Sequence, residues 1–324
     1  MRAVVCTALG DESSLTLAEV PPPPLDTDGV RIGVRAAGVN FADMLVISGK
    51  YQFKPDPPFI PGFEVAGEVL EVGPEVTTCR PGDRVMAVPD FGGFAEQVVA
   101  REVHTHVIPP SMDFATAAGF PVAYGTSHHA LVVRAGLKAG ETLLVHGAAG
   151  GVGLTAVEIG QALGATVIGT AGGPDKVAVA LRHGARHGID YKSEDIREQV
   201  KMLTDGRGAD LVYDPVGGAV FDASLRCTTA GGRLLVIGFA SGTVPQIPAN
   251  ILLVKNLTVI GYDWGAYRRR EPSVLRESYR QLLEWYEAGK LKPIVSQRLP
   301  LAEAAKALAL LKSRKATGKL VLEV

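Results

Sequence analysis

The eight residues HGAAGGVG, His146 to Gly153, constrain this chain more than any other stretch. They lie between an apolar run, ETLLV, and a segment, LTAVEIGQALGA, whose apolar residues recur at helical spacing. A strand ending near His146 delivers its backbone into a tight turn. Gly150 and Gly151 carry no Cβ, so a pyrophosphate can approach the main-chain N–H groups at the start of the following helix, and Gly153 lets that helix pack closely on the sheet. Val152 enters the helix, and Val152, Ala156, Ile159 and Leu163 fall on the face expected to meet the sheet. Glycine triplets are common in purely structural turns; a strand before and a helix after make this one a dinucleotide site. Ala148 stands where the commonest pattern has its first glycine, so the turn must accept a small Cβ.

The rest of the chain frames that turn. With 324 residues it exceeds what one hydrophobic core organises, and 47% hydrophobic content supplies two cores. Residues up to about 120 are short β-branched runs broken by glycine and proline, such as VRIGVRAAGV and VAGEVLEVGPEV, the texture of a compact β domain. From about 125 onward apolar strands alternate with turns and amphipathic helices, as in TLLVHG, TVIGTA, DLVYDPVGG, GRLLVIG and LTVIGY. That alternation specifies a parallel sheet covered on both faces. The expected fold class is α/β, a β-rich domain with a doubly wound parallel-sheet domain. Its expected boundaries are 1–122, 123–262 and a C-terminal segment, 263–324, in which LAEAAKALALLKSRKA reads as helix and KLVLEV as a strand rejoining the first domain. ANILLVKN and LTVIGY together read as an apolar edge strand that needs a cover.

The end of the second strand bears on which dinucleotide is bound. A site for NAD places an acidic residue about 20 residues beyond the glycine motif, on the ribose 2'-hydroxyl. Here the sequence is GTAGGPDK: Gly172 and Gly173 leave room, and Lys176 offers a positive charge suited to a 2'-phosphate. The expected cofactor is NADPH. The alternative is that Lys176 is a solvated residue opening the next helix.

Composition excludes several partners. The 33 basic and 34 acidic residues nearly cancel with no long run of one sign, which argues against nucleic acid. No apolar stretch is long enough to cross a bilayer, and Asp11 and Glu12 come too early for a signal peptide, so a cytoplasmic address is expected. Cys6, Cys79 and Cys227 suit free thiols. No metal site is expected: His104 and His106 alternate along an apparent strand without a third ligand, and His128 and His129, if helical, point apart. YRRREP reads either as a solvated loop or as an anion site.

The segments GVNFADMLVISGKY, PFIPGFEVAGEVLEVG, PGDRV, GAAGGVG, YDPVGG and GKLVLEV, spread over the whole chain, resemble the zinc-free quinone oxidoreductase (zeta-crystallin-like) branch of the medium-chain dehydrogenase/reductase superfamily. The resemblance implies a GroES-like catalytic domain built from both chain ends, with a Rossmann cofactor domain inserted. Zinc members carry a cysteine near the position of Asn40 or Phe41, and Gly-His-Glu where this chain has Gly62-Phe63-Glu64, so both ligands are missing. Without a Lewis acid the feasible reaction is hydride transfer to an acceptor that is already electron-poor, a quinone or an α,β-unsaturated carbonyl. The resemblance implies Asn40, Asp43 and Tyr51 as the catalytic loop, with Tyr51 a proton donor or ribose contact and Asp43 orienting the loop. It adds cofactor contacts at Thr126, Tyr191, Phe239 and Lys319, and a homodimer formed through the edge of the cofactor domain. Two other functions stay open: a reductase of enoyl thioesters, and an NADPH-binding protein with a structural or regulatory role.

Overall fold

A computed structural model describes residues 1–313 and 316–324. The chain divides into two units: Met1–Val122 with Pro272–Glu287 and Pro293–Val324, and Ala123–Glu271 with Ala288–Lys292.

The first unit is built on a seven-stranded mixed sheet. Val295–Pro300, Lys319–Glu323, Gly29–Val39, Val65–Val72, Arg84–Ala87 and Thr105–Val107 follow one another across it, and Gln97–Arg101 also pairs with Gly29–Val39. The long strand Gly29–Val39 gives its first half to Gln97–Arg101 and its second half to Lys319–Glu323. KLVLEV therefore rejoins the first unit as its pattern implies, with Leu320 opposite Val39 and Leu322 opposite Ala37. Ile32, Val34, Val65, Val85, Phe94, Leu320 and Leu322 fill the core beneath. Helix Pro272–Glu287 buries Leu275, Ser278, Tyr279 and Leu282, the i, i+3, i+4, i+7 stripe of an amphipathic helix. Helix Ala304–Lys312 accounts for most of LAEAAKALALLKSRKA; Arg314 and Lys315 lie outside the described residues.

The second unit is a six-stranded, all-parallel sheet. Across it run His187–Asp190, Thr166–Ala171, Thr142–Val145, Ala209–Asp214, Thr228–Val236 and Thr258–Gly261, which is chain order 3-2-1-4-5-6. Thr142–Val145 is buried along its whole length, as a strand covered on both faces must be. The strand order reverses between the first and fourth strands, and ligands of such sheets bind outside the carboxyl ends at that point. HGAAGGVG leaves the first strand there.

Several local expectations change. The helix Gly151–Ala162 buries every residue from Gly153 to Gly160, while Val152 and Leu163 are only half-buried. The helix is enclosed on a second side: Thr155 Oγ1 donates to Ala123 O (3.1 Å), and Glu158 accepts from Tyr124 OH (2.5 Å). ANILLVK is a helix, Ala249–Lys255, not part of a strand; Pro248 precedes it and Asn256, in the left-handed conformation, ends it. The edge strand is Thr258–Gly261 alone. His104 closes a 3₁₀ turn while His106 lies in the next strand with its ring 4.4 Å from that of Tyr279, so the two do not share one strand. Arg268, Arg269 and Arg270 belong to a helix, Trp264–Arg270, in which Arg268 is buried. Among the described residues no helix is long and apolar enough to cross a membrane.

Candidate active site

In the second unit the glycine-rich turn is held from beneath. The His146 amide donates to Tyr213 O (3.0 Å) and the Ala148 amide to Thr170 O (3.0 Å), extending the ladder into the turn. The His146 ring is buried between Thr170 Oγ1 (2.9 Å) and Ser224 Oγ (2.7 Å). Burial pushes its pKa down to about 4, so it is a neutral strut. Gly147 takes φ +59°, and a Cβ on Gly153 would lie 2.1 Å from Gly147 O, so the third glycine of the motif is required by packing. Gly150 differs: a Cβ there meets only Gly147 O, at 3.3 Å. The protein's own packing leaves the space in front of Gly150 open, as the approach of a phosphate demands. Ala148 is tolerated because the neighbouring strand compensates, since a Cβ on Gly169 would lie 2.9 Å from the Ala148 Cβ.

At the end of the second strand, Tyr191 and Lys192 fold over Gly172. A Cβ on Gly172 would lie 2.6 Å from Tyr191 OH and 3.3 Å from Lys192 Cε. The Lys176 pKa is lowered by partial burial and then by the charge of Lys192. Asp190 ties the two loops together, accepting from the Gly173 amide (2.8 Å) and the Lys192 amide (3.1 Å). Tyr191 and Phe239 are 47% and 39% exposed. Phe239 lies beside Gly217, where a Cβ would be 3.1 Å from its ring. Thr126 is buried in the helix Pro121–His128. Its neighbour Ser127 joins Val152 O (2.9 Å), Thr155 Oγ1 (2.8 Å) and Tyr213 OH (2.8 Å), tying Thr126 to the helix that follows the turn. Ser127 and Lys192 carry no motif of their own, and sequence reading passes over them; His146 and Tyr213 enter it only as the first residues of HGAAGGVG and YDPVGG.

In the first unit the structure brings Asn40, Asp43 and Lys319 together around a residue that sequence reading noted only for its missing neighbour, Glu64. Asn40 precedes the helix Phe41–Ile47, and Asp43 in its first turn accepts from the Asn40 amide (2.7 Å). Glu64 is fully buried. Its Oε1 takes the Lys319 ammonium (2.6 Å) and Asn40 Nδ2 (2.9 Å), and its Oε2 takes the Val122 amide (2.8 Å). Gly38 makes the room, because a Cβ there would lie 2.3 Å from Glu64 Oε1. Lys319 also donates to Val39 O (3.0 Å) and Asn40 Oδ1 (2.7 Å), so its three N–H groups are spent within the first unit, although the resemblance implies a cofactor contact for it. Burial raises the Asp43 pKa to about 7, against the pull of the Asn40 amide and of Lys319. Tyr51 is half-buried with its ring 5.8 Å from that of Phe63, next to Glu64. Among the described residues no three His, Cys, Asp or Glu side chains gather where they could hold a metal ion.

Both regions of the chain match known families. Residues 26–110 match the alcohol dehydrogenase GroES-like domain and residues 151–288 the family described as zinc-binding dehydrogenase. The chain is 43% identical to quinone oxidoreductase-like protein 2 homolog of Nematostella vectensis, over 99% of this chain and 88% of that one. It is 38% identical to a quinone oxidoreductase of Pseudomonas aeruginosa, covering 99% of each. The crystal structure of Escherichia coli quinone oxidoreductase complexed with NADPH superposes with a TM-score of 0.93 at 31% identity, covering 100% of both chains. With a GroES-like unit, a 3-2-1-4-5-6 sheet and full-length similarity to these enzymes, the chain belongs to the zinc-free quinone oxidoreductase branch of the medium-chain dehydrogenase/reductase superfamily.

Proposed function

We propose that this protein is an NADPH-dependent oxidoreductase that passes hydride to a quinone or an α,β-unsaturated carbonyl without a metal. The observation that carries the reading is Tyr191 and Lys192 folded over Gly172 at the end of the second strand, with Lys176 in the first turn of the helix Pro174–Arg182 that follows. Two ammonium groups and a phenol suit a 2'-phosphate and would be wasted on a 2'-hydroxyl. The open face of Gly150 and the N–H groups of the following helix suit the pyrophosphate, and the NADPH complex of the Escherichia coli relative supports the same assignment.

NADPH, when bound, supplies the hydride. The chain's part is to orient, to exclude water and to stabilise charge that develops on the acceptor oxygen. Thr126, Tyr191 and Phe239 orient the cofactor in this reading, Asn40 faces the acceptor, Asp43 fixes the Asn40 backbone, and Tyr51 is the candidate proton donor. The donor chemistry supports metal-free turnover: the resemblance implies that zinc members carry ligands near Asn40 or Phe41 and at Phe63, none of which can bind zinc in their place, and Glu64 is committed to Lys319, Asn40 and Val122.

Lys176→Ala and Lys192→Ala should each weaken NADPH by about 10- to 100-fold, the worth of one charge-assisted contact, and leave NADH within about twofold. Fluorescence titration with both nucleotides reads this, and equal weakening of NADPH and NADH would refute the 2'-phosphate assignment. We propose further that the protein is a homodimer. Among the described residues Thr258–Gly261 pairs on one side only, and Leu253 and Val254 on the preceding helix are 77% and 76% exposed. Light scattering that gives the mass of one chain at micromolar concentration would refute it.

A further inference from the structure

Asn40, Lys319 and Glu64 close a ring of hydrogen bonds. Lys319 Nζ donates to Asn40 Oδ1 (2.7 Å) and to Glu64 Oε1 (2.6 Å), and Asn40 Nδ2 donates to that same carboxylate oxygen (2.9 Å). The three residues come from the end of one strand, the loop before a second and the start of a third. The ion pair is buried, and both partners are saturated elsewhere, Glu64 by the Val122 amide and Lys319 by Val39 O.

An isolated carboxamide is nearly indifferent to a flip that exchanges its oxygen and nitrogen. Here the flip would turn an NH₂ group toward an ammonium and an oxygen toward a carboxylate, two repulsive contacts inside the protein. The pair therefore decides which end of Asn40 lies where. It consumes one of the two amide hydrogens and leaves the other on a half-buried side chain without a hydrogen-bonding partner among the described residues.

We propose that Glu64 and Lys319 are positioning residues that lock the Asn40 carboxamide with its remaining N–H presented as the donor to the acceptor's carbonyl oxygen. This rests on the function proposed above. As hydride reaches the acceptor, negative charge gathers on that oxygen, and a fixed, partly desolvated N–H stabilises it without reorganisation. The locked amide takes over the polarising task that a metal performs in zinc relatives.

The test compares Lys319→Met, the double variant Glu64→Gln/Lys319→Met, and Asn40→Ala with and without that double change. Readouts are kcat with a quinone at saturating NADPH, the NADPH dissociation constant and the melting temperature. Lys319→Met strands a buried carboxylate, so stability and kcat both fall; the double variant removes the stranded charge, so the melting temperature recovers while kcat stays down by about 10²-fold, the worth of one oxyanion donor. In the Asn40→Ala background the double change lowers kcat no further. Recovery of kcat together with the melting temperature would reduce the pair to a structural role and overturn the proposal. So would a loss of NADPH affinity that tracks the loss of kcat, which would return Lys319 to the cofactor. If Asn40→Ala keeps full turnover, the positioning proposal fails and the NADPH reading stands; if wild-type protein oxidises NADPH with no quinone or enone, the functional reading itself fails.

Discussion

Asp43 Oδ2 accepts a 2.7 Å hydrogen bond from the Asn40 backbone amide, while Oδ1 of the same carboxyl is buried and makes no hydrogen bond among the described residues. Burial dominates, and it raises the pKa to about 7 from an ordinary 3.8. A carboxyl that binds its proton more tightly folded than unfolded contributes stability that is intact below about pH 4 and is lost as pH rises through 7. A pKa of about 7 against 3.8 is worth about 4 kcal/mol. Asp43→Asn keeps an oxygen for the Asn40 amide and removes the titration. Its stability relative to wild type should therefore improve by up to about 4 kcal/mol between pH 4 and pH 8. Urea midpoints at the two pH values measure this, and parallel curves for the two proteins would contradict it.

Gly153 and Gly150 belong to one motif and should fail in different ways. Gly153→Ala sets a methyl 2.1 Å from the Gly147 carbonyl oxygen, a backbone atom, so the turn must shift at a cost of about 1 to 3 kcal/mol. Gly150→Ala meets that oxygen at 3.3 Å, a tight contact that a shift of a few tenths of an ångström relieves, so it lowers the melting temperature less than Gly153→Ala, yet it fills the approach to the helix start. It should weaken NADPH by roughly tenfold, the worth of one backbone contact. A Gly150→Ala protein that melts early and binds normally would reverse the assignment.

Tyr51 separates the acceptor classes. Reduction of an enone or an enoyl thioester leaves an enolate that must be protonated, and a positioned phenol contributes about 10²- to 10⁴-fold to such a step. A hydroquinone takes its protons from water. Tyr51→Phe should lower turnover of enones while quinone rates and NADPH affinity stay close to wild type. Unchanged rates with every active acceptor would leave Tyr51 as packing against Phe63.

The parts of the molecule legible in the sequence are those whose constraint is local. Gly153 announces itself because a turn and a helix within seven residues of each other exclude its Cβ, and the alternation of strand and helix fixes a parallel sheet before any contact is known. Glu64 is silent because its partners arrive from the end of the long strand, from the helix start after Phe120 and from the closing strand, and only the pairing of Leu320 with Val39 brings Lys319 to it. The run ANILLVK misleads for a different reason: its apolar content outweighs the helix signals of Pro248 before it and Asn256 after it. Lys192 is hidden because the residue it folds over, Gly172, lies across a helix and a strand in sequence.

The measurement that tests the central claim most directly is steady-state oxidation of NADPH and of NADH by quinones and enones, before and after exhaustive chelation, with metal analysis of the same preparation. The account predicts turnover that favours NADPH, survives chelation and accompanies no stoichiometric zinc. Turnover that chelation abolishes and zinc restores, or equal use of the two nucleotides, would contradict it.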